Sequence, residues 1–345
     1  MSRKPELGAE SGEDAYSRAG VSQDDADEAV ARLVAALATA RLGRDSRQVD
    51  LDGHYAAVIR LDDTTGIALA TDGVGTKLLV AEQLGRYDTV GIDCIAMNVN
   101  DIICVGAEPL AMLDYLAVQK ADPEQCEQIG YGLARGAELA GIEIPGGELA
   151  QIGDLVKGFD IAGACFGTVR LDRIIDGSRV AAGDVVIGLP SSGIHSNGYT
   201  LARRALEGLD LEDDRLGRPL GEILLAPTEI YVRAVRDLVE SDVPVYGLAH
   251  ITSGGLDNLL RLRSDVTYRI TDPLPPQPIF ELIAERASVP DDEMYEVFNM
   301  GCGFCCVVPK ASEAEALAIL QAHHPGTAKI GVVSEGERRV IRDPG

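Results

Sequence analysis

Asp72-Gly73-Val74-Gly75-Thr76-Lys77 sets a carboxylate, two glycines and an ammonium within one short stretch. The order is wrong for a P-loop, where Lys follows the last Gly of G-x-x-x-x-G and a hydroxyl follows Lys. Here Thr76 separates Gly75 from Lys77, and Leu78 comes next. The stretch offers a carboxylate for a cation, backbone that a ligand can approach closely, and a point charge suited to phosphate. A second set lies in VGIDCIAMNVNDIICVG (90–106), where helical geometry puts Asp93, Met97, Asn100 and Asp101 on one face. Its only charged groups are two aspartates, and a buried carboxylate is costly unless paired or metal-bound. The plainer alternative for Asp93 is capping of a neighbouring backbone segment. Together the two sets suit Mg²⁺, which takes oxygen ligands beside a triphosphate. The expectation is a turn that holds a metal–nucleotide, with carboxylates on Mg²⁺ and Lys77 on an ATP phosphate.

A third set is LPSSGIHSNGYTLARR (189–204). A Gly- and Ser-rich turn before a helix exposes backbone N–H groups at the positive end of the helix dipole, a pocket for a phosphate monoester. Ser196 or Asn197 taken singly also reads as an ordinary N-cap. His195, in a turn beside an anion nest, is a candidate acid–base group. His250, before Thr252-Ser253-Gly254-Gly255, follows the same logic. His323 and His324 fall late in a polar segment and are expected in solvent.

The elements that must position these groups alternate. A helix is predicted over 24–42, with Val30, Leu33, Val34 and Leu37 on one face. Strands are expected at 55–61 and 66–71, joined by a polar turn. The helix at 90–106 is stopped by Gly106-Ala107-Glu108-Pro109. A buried strand (110–118), a helix (123–140) and a strand (161–171) follow. Near 170–183 the text turns polar, and the domain boundary is placed there. The second half opens with a strand (185–190) and includes a strand–turn–helix (246–262), a Pro-rich loop (272–278) and a late helix (311–322). The predicted organisation is a polar leader at 1–15, an ATP-binding domain at 16–172, and a second domain at 173–345, each α/β or α+β.

At 345 residues the chain is long enough for about two domains. A formal net charge of −24 argues against nonspecific nucleic-acid binding, which draws on clustered Lys and Arg. A bound divalent cation reverses that sign locally, so a phosphorylated ligand remains compatible. No apolar run reaches the roughly 18 residues of a membrane helix. The basic start is not followed by the apolar core of a secretory signal. Seven cysteines, mostly in apolar segments, suggest reduced thiols and a cytoplasmic protein. Cys302 and Cys305 have C-x-x-C spacing but lack a second pair for zinc.

In this order, DGVGTK, GIDCIAMNVNDIICVGAEPLAMLDYLA, LPSSGIHSNGYTLARR, LLAPTEIYV, LAHITSGGL and EMYEVFNMGCGF resemble the phosphoribosylformylglycinamidine cyclo-ligase (aminoimidazole ribonucleotide synthetase) family. The likeness runs from about Tyr16 to Val333. DGxGTK alone is shared with selenophosphate synthetase, thiamine-monophosphate kinase and formylglycinamidine ribonucleotide synthetase. The resemblance implies a two-domain fold: an N-terminal domain forming a β-barrel across a homodimer, and a C-terminal α/β sandwich. It also implies ATP-dependent closure of formylglycinamidine ribonucleotide to aminoimidazole ribonucleotide, ADP and phosphate. Carried onto this sequence, it implies Asp72, Gly73, Gly75, Thr76, Lys77, Asp93 and Asn100 at ATP, and Asp72, Asp101 and Glu148 at Mg²⁺. Ser191, Ser192, Gly193, Ser196, Asn197 and Gly198 fall at the substrate phosphate. His195, Lys77 and Asp101 fall to catalysis, with Asp114 and His250 as further candidates. Ser17, Leu149 and Gln151 depart from the family's Lys, Thr and Glu, and Arg18 is the substitute near the first. Two alternatives are another phosphoryl-transfer enzyme of the superfamily and a non-catalytic nucleotide-binding paralogue. The absence of any Cys before Cys94 disfavours the selenium enzyme.

Overall fold

A computed structural model describes residues 23–51, 53–262 and 265–343. The expected leader, Ser17 and Arg18 lie outside the described residues. In the first half, strands β1 (Ala57–Arg60), β2 (Thr65–Gly73), β3 (Glu108–Val118), β4 (Glu143–Gln151) and β5 (Phe159–Arg170) form one sheet, ordered β1-β2-β5-β3-β4. Only the β3–β4 pairing is parallel. Along β5 the odd-numbered residues are buried and the even-numbered ones are more open. That period of two marks a sheet with one covered face.

Helix α1 (Gln23–Leu37) precedes the sheet, α2 (Leu78–Leu84) follows the DGVGTK turn, and α3 (Val90–Cys104) lies across the covered face, backed by α4 (Pro123–Ala140). The α4 start is dictated locally. Asp122 accepts from the N–H groups of Glu124 and Gln125, and Pro123 fills the first helical position. Small residues then let α3 and α4 approach. A Cβ on Gly91 would stand 2.2 Å from Leu133 N, and one on Gly132 would stand 2.6 Å from Asp88 O.

The other sheet face is apolar and left uncovered by the described residues. Tyr115 is 46% exposed, and Ile59, Leu113, Ile67, Leu69 and Phe166 share its side. The stripe on α1 forms as its periodicity predicts, and among the described residues Val30, Leu33, Val34 and Leu37 remain exposed.

The second half holds β6 (Val185–Pro190), β7 (Gly247–His250), β8 (Thr267–Ile270), β9 (Cys302–Val308), β10 (Ala328–Ser334) and β11 (Arg339–Arg342), ordered β11-β8-β10-β6-β9-β7. Residues of β7 and β9 are buried throughout, which is why CGFCCVV reads as a continuous apolar run. Helix α5 (Tyr199–Ala205) follows the Ser-rich loop. The expected helix within 246–262 is instead a 3₁₀ segment, Gly255–Arg261, entered through Gly254 and Gly255 at φ 92° and 53°. All seven cysteines are free thiols, six of them buried.

The glycine contact between α3 and α4 is directly testable. Gly91→Ala should lower the unfolding free energy by about 1–3 kcal/mol, the usual cost of overpacking. Gly130→Ala, on α4 with nothing within 4 Å, should instead gain ~0.5–1 kcal/mol from helix propensity. Denaturant titration checks both, and equal effects would contradict this packing.

Candidate active site

Two groupings emerge where α3 passes beneath the Ser-rich loop, one open and one sealed. The open one begins at Asp72, at the end of β2. Its N–H donates to Asn98 Oδ1 (3.0 Å), and Asn98 Nδ2 donates back to its carbonyl (3.1 Å). Asp72 Oδ1 accepts from Gly73 N at 2.7 Å. Asn98, absent from the expectations above, thereby fixes where the turn leaves the strand. Its signal was available: a polar residue in MNVND within an apolar helix.

One turn further along α3, Asp101 Oδ1 lies 2.9 Å from His250 Nδ1. A carboxylate only accepts, so Nδ1 carries the proton. Burial holds the Asp72 carboxyl above its usual value. Nearby Asp101 adds to this, while His250 and Arg261 oppose it. These groups therefore lie near one another, on the side of α3 that carries Asp101. Asn197 accepts from Ser253 Oγ (3.0 Å), with its amide 3.9 Å from Met97 Sδ on α3.

Two residues do not join as expected. No three His, Cys, Asp or Glu among the described residues are grouped to hold a metal ion. Glu148 is the member that departs. Asp72, Gly163, Asp114 and Gly147 are register partners across the sheet and face α3, whereas Glu148 pairs with Tyr115 on the opposite side. Asp114 shares the face of Asp72 but stands two strands away, roughly 9–10 Å, with its carboxylate over Gly147. Burial raises its carboxyl. Asp72 and Asp101 remain: two neighbouring carboxylates, the complement with which Mg²⁺ completes its shell from water and phosphate oxygens.

The sealed grouping centres on Lys77, which is fully buried. Its ammonium donates to Asp93 Oδ1 (2.8 Å), His195 O (3.1 Å) and Ala226 O (2.6 Å). An ammonium has three donors, so none is left for phosphate in this arrangement. Burial pushes its pKa down, and Asp93 partly offsets the shift. Asp93 Oδ1 accepts also from Thr228 N and Oγ1, both at 2.7 Å, and from Ser196 Oγ at 3.3 Å. Asn100, expected at ATP, is buried too: Nδ2 donates to Glu229 O (2.9 Å), and Oδ1 accepts from Tyr231 N (3.1 Å). Thr76 sits at the outer edge, its hydroxyl 3.3 Å from that of Thr200.

The Ser191–Gly198 loop is held from within. Ser191 Oγ donates to Asn299 Oδ1 (2.8 Å) and Ser192 Oγ to Pro227 O (2.6 Å). Gly193, at φ 150°, has nothing within 4 Å of where a Cβ would stand. Gly198, at φ 80°, packs on Phe298, which a Cβ would meet at 2.4 Å. His195, the candidate acid–base group of that turn, lies in the interior. It is 2% exposed and left-handed at φ 67°. Its Nε2 accepts from Ser192 N (3.2 Å) and Glu229 N (3.5 Å), so the proton sits on Nδ1, which is buried without a partner. Burial, aided by His250 and Lys77, holds the ring well below the usual histidine pKa. Gly303 makes this possible, since a Cβ there would meet Tyr231 Oη at 2.0 Å and His195 Cε1 at 2.5 Å.

His324 also departs from the solvated position expected of it. It packs against the Tyr231 ring (5.0 Å between centroids), with Nδ1 3.6 Å from Glu229 Oε1, and burial lowers its pKa to about 4. His323 pairs with Asp237 at 2.7 Å.

The fold and this site, shared between two dissimilar domains, define an AIR synthase-related protein. Residues 53–169 match the AIR synthase related protein N-terminal domain, and residues 181–343 match the C-terminal domain. The chain is 52% identical to the phosphoribosylformylglycinamidine cyclo-ligase of Methanothermobacter thermautotrophicus, covering 90% of this chain and 93% of the relative. It is 48% identical to the same enzyme of Thermococcus kodakarensis, covering 94% and 97%. It belongs to the phosphoribosylformylglycinamidine cyclo-ligase family, a family of enzymes. Solved structures with the same fold include AaThiL complexed with AMPPCP and TMP (TM-score 0.63, 20% identity, 86% of this chain and 89% of that one). Another is hydrogenase maturation protein HypE in complex with ATP (TM-score 0.59, 19% identity, 83% and 84%). No helix among the described residues is long and apolar enough to cross a membrane.

The buried His195 ring makes the folded state acid-sensitive. In the unfolded chain the imidazole takes a proton near pH 6.5, while in the folded chain it stays neutral well below that. Between those values the unfolded state binds the extra proton, so stability falls as pH falls from about 6.5, by about 1.4 kcal/mol per unit. His195→Asn tolerates the left-handed backbone and does not titrate. Its stability should decline less steeply with acid than the wild type's; parallel declines in denaturant titrations would contradict the assignment.

Proposed function

We propose that this chain carries out the reaction named for its relatives: ATP-dependent closure of formylglycinamidine ribonucleotide to 5-aminoimidazole ribonucleotide, with ADP and phosphate, in de novo purine biosynthesis. The observation that carries this reading is near-full-length identity of up to 52% with those cyclo-ligases. Chemically, the formyl oxygen is a poor leaving group until it accepts the γ-phosphoryl group of ATP. The amidine nitrogen then adds to that carbon, phosphate leaves with the former formyl oxygen, and the imidazole closes.

Transfer of this kind depends on position and charge neutralisation rather than on a protein nucleophile. Asp72 and Asp101 are the residues that would hold Mg²⁺, which when bound neutralises charge on the ATP phosphates. His250 orients Asp101 through its Nδ1–H, and Asn98 holds the turn that carries Asp72. Gly73 and Gly75 keep the nucleotide side of that turn free of side chains. For the ribonucleotide, the open position at Gly193 favours a phosphate lying against main chain, since the Ser191 and Ser192 hydroxyls donate to protein. The HypE neighbour solved in complex with ATP has the same fold, which supports the reading that this fold holds a nucleotide.

The bare sheet face supports a homodimer in which two five-stranded sheets meet, closing the barrel that the family resemblance implies. Tyr115 and Leu113 would lie in that contact. Sedimentation should give twice the chain mass, and Leu113→Arg should shift it toward one; a wild-type monomer would remove this reading.

Purified protein supplied with ATP, Mg²⁺ and formylglycinamidine ribonucleotide should form aminoimidazole ribonucleotide and ADP in equal amounts. Asp101→Asn should fold normally and lose at least 10²-fold in kcat. Product formation at the wild-type rate by this variant would take Asp101 out of the site, and no product from the wild type would end the functional reading.

A further inference from the structure

Lys77 and Asp93 both come from the first half of the chain, yet most of their bonds go to the second. The ammonium reaches the carbonyls of His195 and Ala226, and the carboxylate reaches Thr228 and Ser196. Those acceptors and donors belong to two loops, 191–198 and 226–231, which are themselves joined by Ser192 Oγ to Pro227 O and by the His195 ring. Lys77 closes the same turn that begins at Asp72. A single buried ion pair therefore connects the turn assigned to nucleotide with the loop assigned to ribonucleotide and with the 226–231 loop bonded to it.

We propose that the Lys77–Asp93 pair is an interdomain latch: it sets the register between the two halves of the active site and touches neither substrate. Which substrate lies on which side rests on the function proposed above; the latch itself rests only on these contacts. Three features carry the inference. Both side chains are wholly buried, so neither presents charge to a ligand. All three ammonium donors end on protein oxygens. Asp93 is loaded one-sidedly, with four donors on Oδ1 and no partner for the buried Oδ2, so it faces the second domain's loops. Stability is a poor explanation, because well-packed apolar residues in place of a buried pair are often as stable or more so. Direction is the better one, since an ammonium fixes three acceptors at hydrogen-bond distance where methyl groups would let them slide.

Chemical labelling and a double-mutant cycle test this together. Wild-type protein is treated with an acetylating amine reagent, with and without ATP and Mg²⁺, and modified lysines are read by peptide mass spectrometry. Lys77 should stay unmodified in both while exposed Lys120 reacts; labelling of Lys77 that ATP suppresses would make it a phosphate ligand and overturn the proposal. Lys77→Met, Asp93→Asn and the double variant are then compared. Each single variant should lose at least 10²-fold in kcat for its folded fraction, with ATP dissociation constants within threefold of wild type. The double variant should be no worse than the poorer single one, as for residues acting as one unit. Loss of ATP affinity in Lys77→Met alone, or folded variants with unchanged kcat, would refute the latch. If the variants do not fold, labelling decides. If wild type binds ATP but does not close the ring, the functional reading fails while labelling and ATP affinity still judge the latch.

Discussion

A lysine ammonium cut off from water needs an acceptor for each of its three N–H groups, and in this chain that requirement draws two domains together. Lys77 finds one carboxylate and two main-chain carbonyls, each from a different segment. Moving any one of them leaves a buried charge short of a partner, a change that costs about 3–5 kcal/mol when a whole partner is removed. The geometry around it is accordingly narrow. His195 is forced into left-handed backbone so that its carbonyl meets the ammonium while its ring accepts from Ser192 and Glu229. Gly303 is required because any side chain would strike that ring.

Helix α3 is the common support. One side of it lies on the sheet and reaches the Asp72 turn through Asn98; successive turns then carry Asp93 to the sealed pair, Asn100 to the 229–231 backbone and Asp101 to His250. Its close approach to α4 through Gly91 and Gly132 leaves it little freedom to shift. The open chemistry of Asp72 and Asp101 and the closed structure of Lys77 and Asp93 are thus set toward the two ends of one rigid rod. That is how a site built from residues far apart in sequence can remain ordered before any ligand arrives.

Much of this was legible in the residues. The periodicities of 110–118, 123–140 and 161–171 correspond to β3, α4 and β5, because a strand with one covered face and a capped helix write their patterns locally. The convergence of DGVGTK, MNVND, SSGIHSNG and LAHITS was legible in residue type. Their division of labour was not. Lys77 and Asp101 both look like ligand groups in text, and only burial separates the one tied to carbonyls from the one that borders open space. Glu148 was misplaced because the face of a strand residue depends on register with neighbours, which a single strand does not reveal. His324 looked solvated because its partners, Tyr231 and Glu229, lie far back in the chain. The α1 stripe marked a helix by its period, and among the described residues that face stays exposed.

This arrangement requires Lys77 to be a fixed, fully protonated ammonium that serves protein oxygens alone, one carboxylate and two carbonyls. Nitrogen-15 spectroscopy on protein labelled at its six lysines reads this directly. The Nζ of Lys77 should appear at neutral pH as a charged group with three slowly exchanging protons, and its signal should stay in place when ATP and Mg²⁺ are added. A neutral amine, rapid exchange with water, or a resonance that moves on nucleotide binding would contradict it.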